Sequence, residues 1–165
     1  RYAGIMIDTN NFLTKTGVRT FEAAAFLRRC GADVTRVRKM FREHVEDYRA
    51  KGEAIRNAEL FREHFAISVC PSEGLDSPTV VGAQAANELL NIIGVKASFV
   101  LTDYRNTIYI SARSIDEINV QIVMERLGGG GHLNIAGAQL EHYSITEAKD
   151  VLKQTLQKML DEGDI

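Results

Sequence analysis

The least ordinary stretch of the sequence is a run of four glycines and a histidine at residues 128–132, followed closely by Ala136-Gly137-Ala138. Glycine weakens a helix by roughly 1 kcal/mol per residue, so such a run needs a compensating role. Because glycines lack Cβ atoms, the N–H groups of residues 129–131 can form a concave nest around a phosphate, and His132 can donate to a phosphate oxygen. A flexible loop beside an unrelated histidine explains the same residues equally well, since glycine-rich loops are weak motifs.

Three polar residues upstream of the glycines could complete an anion site. Arg113 and Ser114 end a predicted strand, where a guanidinium can form a bidentate pair with a phosphate or carboxylate. Asn119 can hydrogen-bond to a base edge or a phosphate oxygen. The alternatives are an ordinary surface charge for Arg113 and a helix N-terminal residue for Asn119. Their proximity to the glycine run favours the binding interpretation.

Asp8 is a candidate metal ligand at the other end of the chain. It follows the apolar run at residues 3–7, which predicts a strand, and α/β enzymes place carboxylates beyond the carboxyl ends of strands. A hard divalent cation would suit such an oxygen. Since Thr9, Asn10 and Asn11 come next, a turn or a cap is the alternative. No neighbouring cluster of carboxylates, histidines or cysteines completes a metal shell in the sequence.

The elements that must position these residues alternate between helices and strands over residues 66–165, which predicts a small α/β domain with a mixed sheet. Upstream, residues 20–30 are typical of a helix that ends at Gly31, and the apolar spacing from Val34 predicts a long connector helix broken near Gly52. The expected elements beyond it are a strand at 65–70, a helix at 79–91, a hairpin of strands at 97–102 and 107–112, a helix at 117–127, a strand at 135–141 and a final helix opened by the Ser144–Glu147 capping box.

Composition limits the functions that this chain can have. With 165 residues and 45% hydrophobic content it can bury a core, and it has no apolar stretch of the roughly 18 residues that span a bilayer. A cytoplasmic domain is therefore expected. The net charge of −2 disfavours tight duplex nucleic-acid binding. Cys30 and Cys70 lack CxxC spacing, so we expect buried free thiols rather than a zinc site.

The glycine run and its surroundings resemble the GGGH motif of the DHH-associated domain, which follows the catalytic domain in DHH-family phosphoesterases. The wider sequence looks like the cyclic-di-AMP phosphodiesterase branch of that family. The segments that carry this resemblance are residues 110–114, 118–125 and 127–139 for the associated domain, and residues 8–12 and 16–20 for the last motif of the DHH domain.

The resemblance implies three parts: a C-terminal remnant of the DHH catalytic domain at residues 1–33, a helical connector at 34–65 and a DHH-associated substrate-binding domain at 66–165. It implies a manganese-dependent phosphodiesterase in which Asp8 is one Mn²⁺ ligand. Two metals would clamp the attacking and leaving oxygens. The implied substrate-binding residues are Arg113, Ser114, Asn119, Gly129, Gly130, Gly131 and His132.

The Asp-His-His triplet of the family is absent, so we expect the chain to be catalytically inactive without the missing DHH lobe. The resemblance also implies a larger protein anchored to the membrane by upstream segments. The expected partner is a cyclic dinucleotide or a short linear nucleotide. The sequence leaves open whether its bases are adenine or guanine and whether the substrate is cyclic or linear. Tyr104 and Tyr109 could stack on a base or simply pack in their hairpin.

Three other functions stay open on the sequence. The first is a noncatalytic nucleic-acid binding module, and the second is a short-oligonucleotide phosphoesterase or exonuclease of the same superfamily. The lack of a basic stripe disfavours the binding module, whereas a steep salt dependence of oligonucleotide binding would favour this module. The third is an assembly module in which the connector helix packs against a second copy to form a homodimer.

Overall fold

A computed structural model describes residues 1–115 and 117–165 of the chain. Within these residues the chain forms two compact units, Arg1–Glu43 and His44–Ile165. The first unit is helical. Its elements are α1 (Tyr2–Asp8), α2 (Val18–Arg29) and α3 (Val34–Met40). The second unit contains α4 (Val45–Arg56), β1 (Glu59–Phe61), β2 (Phe65–Val69), α5 (Pro78–Leu89), β3 (Ala97–Tyr104), β4 (Thr107–Ser114), α6 (Val120–Arg126), β5 (Gly130–His132), β6 (Ile135–Glu141) and α7 (Ile145–Glu162).

The prediction of a strand over residues 3–7 is wrong, because this apolar run forms helix α1. A short apolar run does not distinguish a buried strand from a helix by periodicity. A strand needs a neighbour for its backbone groups, and residues 1–43 contain no other strand. The helix satisfies its own groups, as in the 3.0 Å bond from Thr9 N to Ile5 O. Asp8 is consequently the last residue of a helix rather than the residue that follows a strand.

The long connector helix is replaced by two shorter helices and a strand. Helix α3 ends at Met40 and α4 begins at Val45, while Gly52, the expected break, lies inside α4. Each helix has its own N-cap, and Asp33 caps α3 by accepting from Thr35 N and Arg36 N. The apolar spacing continues across residues 41–44, so periodicity alone does not show the break.

The mixed sheet predicted from the sequence is confirmed. Within the described residues, its strand order is β1-β2-β3-β4-β6-β5. Strands β2 and β3 are parallel and joined through α5, while the other neighbouring pairs are antiparallel. The predicted hairpin of β3 and β4 turns at Arg105 and Asn106, whose φ angles of 51° and 62° fit a tight two-residue turn. The predicted capping box also forms, since Ser144 Oγ accepts from Glu147 N.

Helices cover the two faces of the sheet unequally. The even-numbered residues of β4 join the main core with α6 and α7, and a smaller core lies between β2, β3, α4 and α5. The odd-numbered residues of β4 are only half-buried. Strand β1 is tied to α7 by ion pairs, because Glu59 Oε1 lies 3.0 Å from Lys149 Nζ and 2.8 Å from Lys153 Nζ. The half-covered face over β4, β6 and β5 is where a ligand has access.

The two cysteines differ in burial. Cys70 is buried, as expected, but Cys30 is exposed near the end of α2, so the expectation of two buried thiols holds for only one of them. None of the helices in the described residues has the length and apolar character needed to cross a membrane.

Candidate functional site

The glycine run forms regular structure rather than a flexible loop. Residues 130–132 make strand β5, which pairs antiparallel with β6 and forms the edge of the sheet. Gly130 lies opposite Gly137, and His132 lies opposite Ile135. This pairing fixes the position of His132 relative to β4, since β6 also pairs with β4.

Three of the four glycines are required by the backbone of this hairpin. Gly128 has a φ of 79° just after α6, a conformation that side chains disfavour. A Cβ on Gly129 would overlap Gly137 O and lie 2.7 Å from Ala138 Cα. A Cβ on Gly131 would lie 2.5 Å from Ala136 Cα, and its φ of 149° is itself unusual. Close approach to β6 therefore explains glycine at positions 129 and 131, and the positive φ explains it at position 128.

Gly130 is different, because backbone packing does not require glycine there. A Cβ at this position would meet no described atom within 4 Å. The space beside Gly130 belongs to an open cleft of about 600 Å³ on the half-covered face of the sheet. The lack of a side chain at Gly130 thus keeps the cleft open, which is what close approach of a ligand to the backbone needs.

Arg113 and His132 are brought together across β6. Each lies opposite Ile135, one on β4 and the other on β5. Residues opposite one another in antiparallel strands point to the same face, and two strand spacings separate these residues by roughly 10 Å. Ile135 therefore lies between the two side chains on one face of the sheet. Gly130, Gly137 and Ser111 form the next row of the same face.

The Arg113 guanidinium is held in place by the protein. Its Nε donates to Asn87 Oδ1 of α5 at 3.1 Å, and its Nη1 donates to Ala112 O at 2.8 Å. Burial lowers the pKa of Arg113, which still leaves it protonated at neutral pH. A partly desolvated cation with further N–H groups favours an anionic partner. Asn87 could not be identified from the sequence, because its role depends on how α5 packs against the sheet.

Ser114 and Asn119 take part in local structure. Ser114 lies on the opposite face from Arg113 and is buried, and its Oγ donates to Asn134 Oδ1 at 3.2 Å. Asn119 is the N-cap of α6, with its Oδ1 accepting from Gln121 N at 3.1 Å. The adjacent Val120 N donates to Leu133 O, which puts Asn119 beside the turn that follows His132.

Asp8 belongs to the first unit and is exposed at the end of α1. Across residues 1–115 and 117–165, no three histidine, cysteine, aspartate or glutamate side chains converge on a point that could hold a metal ion. The donor set of the described residues therefore does not fit a two-manganese centre, and no chemical step is assigned to a metal held by this chain.

The cleft extends from the glycine strand along β4 and β6. It is lined by Thr79, Tyr109, Ser111, Gln139, Glu141 and residues 128–130. Of its side chains only Tyr109 was a sequence candidate. The alternation of β6 places Gln139 and Glu141 on the face of Gly137, but strand alternation does not show which face is left uncovered.

Comparison with known proteins gives a consistent assignment. Residues 64–159 match the family described as DHHA1 domain. The chain is 41% identical over 98% of its length to cyclic-di-AMP phosphodiesterase GdpP of Geobacillus thermodenitrificans, and 42% identical over 98% to that of Bacillus subtilis. It spans 24% and 25% of these relatives. In fold it is similar to an exopolyphosphatase-related protein from Bacteroides fragilis, at 23% identity and a TM-score of 0.83, covering 94% of this chain and 48% of that one.

Proposed function

The chain belongs to the DHHA1 domain family, and from that membership we propose that it is the substrate-binding part of a phosphodiesterase that hydrolyses cyclic-di-AMP or pApA to linear nucleotide products. Its similarity to relatives named as cyclic-di-AMP phosphodiesterases supports this substrate class. The observation that carries the proposal is the shared row of Arg113 and His132 beside the open position at Gly130.

In this proposal each group of the row has a separate task. Arg113, fixed by Asn87, neutralises a non-bridging phosphate oxygen and orients it through its remaining N–H groups. The exposed His132 donates to the same phosphate from the other side. Ile135 lies between them and removes water from the contact, while Gly130 lets the phosphate approach the backbone. These residues bind and position the nucleotide, and they leave the bond-breaking step to other groups.

Manganese dependence belongs to the whole enzyme in this proposal. In the whole enzyme, such metal ions would supply an activated water and charge stabilisation for the leaving oxygen. Asp8 remains a candidate for one ligand, but the described residues lack the others. We therefore predict that this chain binds dinucleotides without hydrolysing them, whether or not manganese is added.

The test is calorimetric titration of pApA and cyclic-di-AMP into the chain, with and without manganese, followed by chromatography of the nucleotides. A lost hydrogen bond to a charged group weakens binding by about tenfold or more, so His132→Ala should reduce the affinity by that factor. His44→Ala is the matched control, because His44 is exposed at the start of α4 and outside the cleft lining. Absence of binding by the unsubstituted chain, or equal affinity in the two variants, would refute the phosphate site.

A further inference from the structure

The end of the cleft away from His132 carries polar and aromatic groups that phosphate binding does not use. Tyr109 and Gln139 lie opposite each other on β4 and β6, and Thr107 and Glu141 form the next pair. Two residues along a strand rise about 7 Å, so the Tyr109–Gln139 pair lies about that far from the row that contains Gly130. A phosphate beside Gly130 would therefore place its nucleoside over Tyr109 and Gln139.

Tyr109 offers a fixed aromatic surface at this place. Its ring is half-buried and packs against Tyr104, with ring centroids 6.5 Å apart and planes inclined by 49°. The guanidinium of Arg105 covers the Tyr104 ring at 4.9 Å from its centroid, which supports the pair from outside. An aromatic side chain held in this way can stack on a nucleobase with little loss of its own freedom.

Gln139 supplies the hydrogen-bonding pattern that distinguishes the two purines. It is exposed on the cleft side of β6, and its amide carries an acceptor oxygen beside a donor nitrogen. The N6/N7 edge of adenine presents one donor and one acceptor, which a glutamine amide matches with two hydrogen bonds. The O6/N7 edge of guanine presents two acceptors and is matched by arginine or lysine instead.

Glu141 strengthens the preference. Its carboxylate belongs to the residue two positions beyond Gln139, on the same face of the strand, where it can accept the second hydrogen of the adenine amino group. The same carboxylate would repel the O6 oxygen of guanine. The cleft lining contains this one charged side chain and no lysine or arginine among the described residues.

We infer that Tyr109, Gln139 and Glu141 form a base subsite that selects adenine over guanine, by stacking on Tyr109 and by paired hydrogen bonds to Gln139. This inference rests on the proposed function, because the phosphate beside Gly130 determines where the base lies. Gln139 is then the group that decides between adenine and guanine dinucleotides.

The experiment compares the affinities of pApA and pGpG for the unsubstituted 165-residue chain and for four variants, Gln139→Leu, His132→Ala, Glu141→Gln and Gln154→Leu. A bidentate pair discriminates between bases by about tenfold, so the unsubstituted chain should bind pApA about tenfold more tightly than pGpG. Gln139→Leu should remove this preference by weakening pApA alone. His132→Ala should weaken both ligands by the same factor. Gln154→Leu is the matched control, since Gln154 is exposed on α7, which packs on the opposite face of the sheet, and it should behave like the unsubstituted chain.

The outcomes separate the two proposals. If His132→Ala weakens both dinucleotides but Gln139→Leu changes neither, the phosphate site stands and the base subsite is refuted. A preference for pGpG that Glu141→Gln abolishes would also refute it, because the cleft would then bind the Watson–Crick edge of guanine. If neither dinucleotide binds the unsubstituted chain, the proposed function fails and the base subsite fails with it.

Discussion

Alanine substitution of the glycines in turn should separate the positions that the fold needs from the position that the ligand needs. At Gly131 the new methyl group would meet Ala136 Cα and Ile135 O, each at 2.5 Å, in a backbone conformation that alanine disfavours. At Gly130 the methyl group would meet no described atom within 4 Å and would extend towards the cleft. The two variants have the same chemistry one residue apart, so each serves as the control for the other.

The expected changes in the free energy of unfolding differ in sign between the two variants. Overpacking costs about 1–3 kcal/mol and a residue forced into a sparsely populated conformation costs about as much again, so Gly131→Ala should lower the free energy of unfolding by about 2–6 kcal/mol. For a chain of this size that corresponds to a melting temperature lower by about 10 °C. Gly130→Ala should leave the free energy unchanged or raise it by about 0.5 kcal/mol, because alanine restricts the unfolded chain.

The assay combines urea unfolding, followed by circular dichroism, with titration of pApA. Gly130→Ala should weaken binding in a fully stable protein, whereas Gly131→Ala should weaken binding together with stability because His132 moves with β5. If the free energy of unfolding of Gly131→Ala lies within about 0.5 kcal/mol of that of the unsubstituted chain, β6 does not pack closely against this position. A clear loss of stability in Gly130→Ala would show that the space beside Gly130 is not open.

Three further predictions concern the rest of the fold. Burial raises the pKa of the Cys70 thiol to about 11, so a thiol reagent at pH 8 should modify the exposed Cys30 rapidly and Cys70 only after unfolding. Burial alone would raise the pKa of Glu59, but hydrogen bonds from the two lysines of α7 outweigh it and hold this pKa below its usual value. The stability that Glu59 contributes is therefore present above its unfolded pKa and lost as pH falls through the folded one, so Glu59→Gln should lose less stability on acidification, as measured by urea unfolding at a series of pH values. Ser144→Ala removes the side-chain cap of α7 and should lower the free energy of unfolding by about 1 kcal/mol. Ser144→Thr should retain most of that stability, as measured by thermal unfolding.

Elements with strong local signals could be predicted from the sequence, and elements that depend on a partner could not. The hairpin of β3 and β4 and the capping box at Ser144 are specified by neighbouring residues, and both form as predicted. The apolar run in α1 carries no such signal, because the choice between helix and strand depends on whether another strand is available. Strand β1 is only three residues long and is stabilised by pairing with β2, so nothing local marks it.

The same distinction applies to the candidate site. Arg113 and His132 could be selected as residue types suited to phosphate, but they are 19 positions apart and meet only through their common neighbour Ile135. Asn87 and Gln139 could not be selected, since each acquires its role from the packing of α5 and the uncovered face of the sheet. Residue chemistry is local, whereas the register that assembles a site is not.

The glycine run carries two physical requirements that look identical in a sequence. Gly129 and Gly131 are glycine because β6 lies too close for a side chain, and this would hold in a protein that bound nothing. Gly130 is glycine with open space beside it, which packing does not explain. A match to the run therefore predicts the β5–β6 hairpin directly, and predicts binding only through Gly130 and the row of Arg113 and His132. A related chain that keeps the outer glycines but carries a side chain at the position of Gly130 should retain this fold and lose the phosphate site.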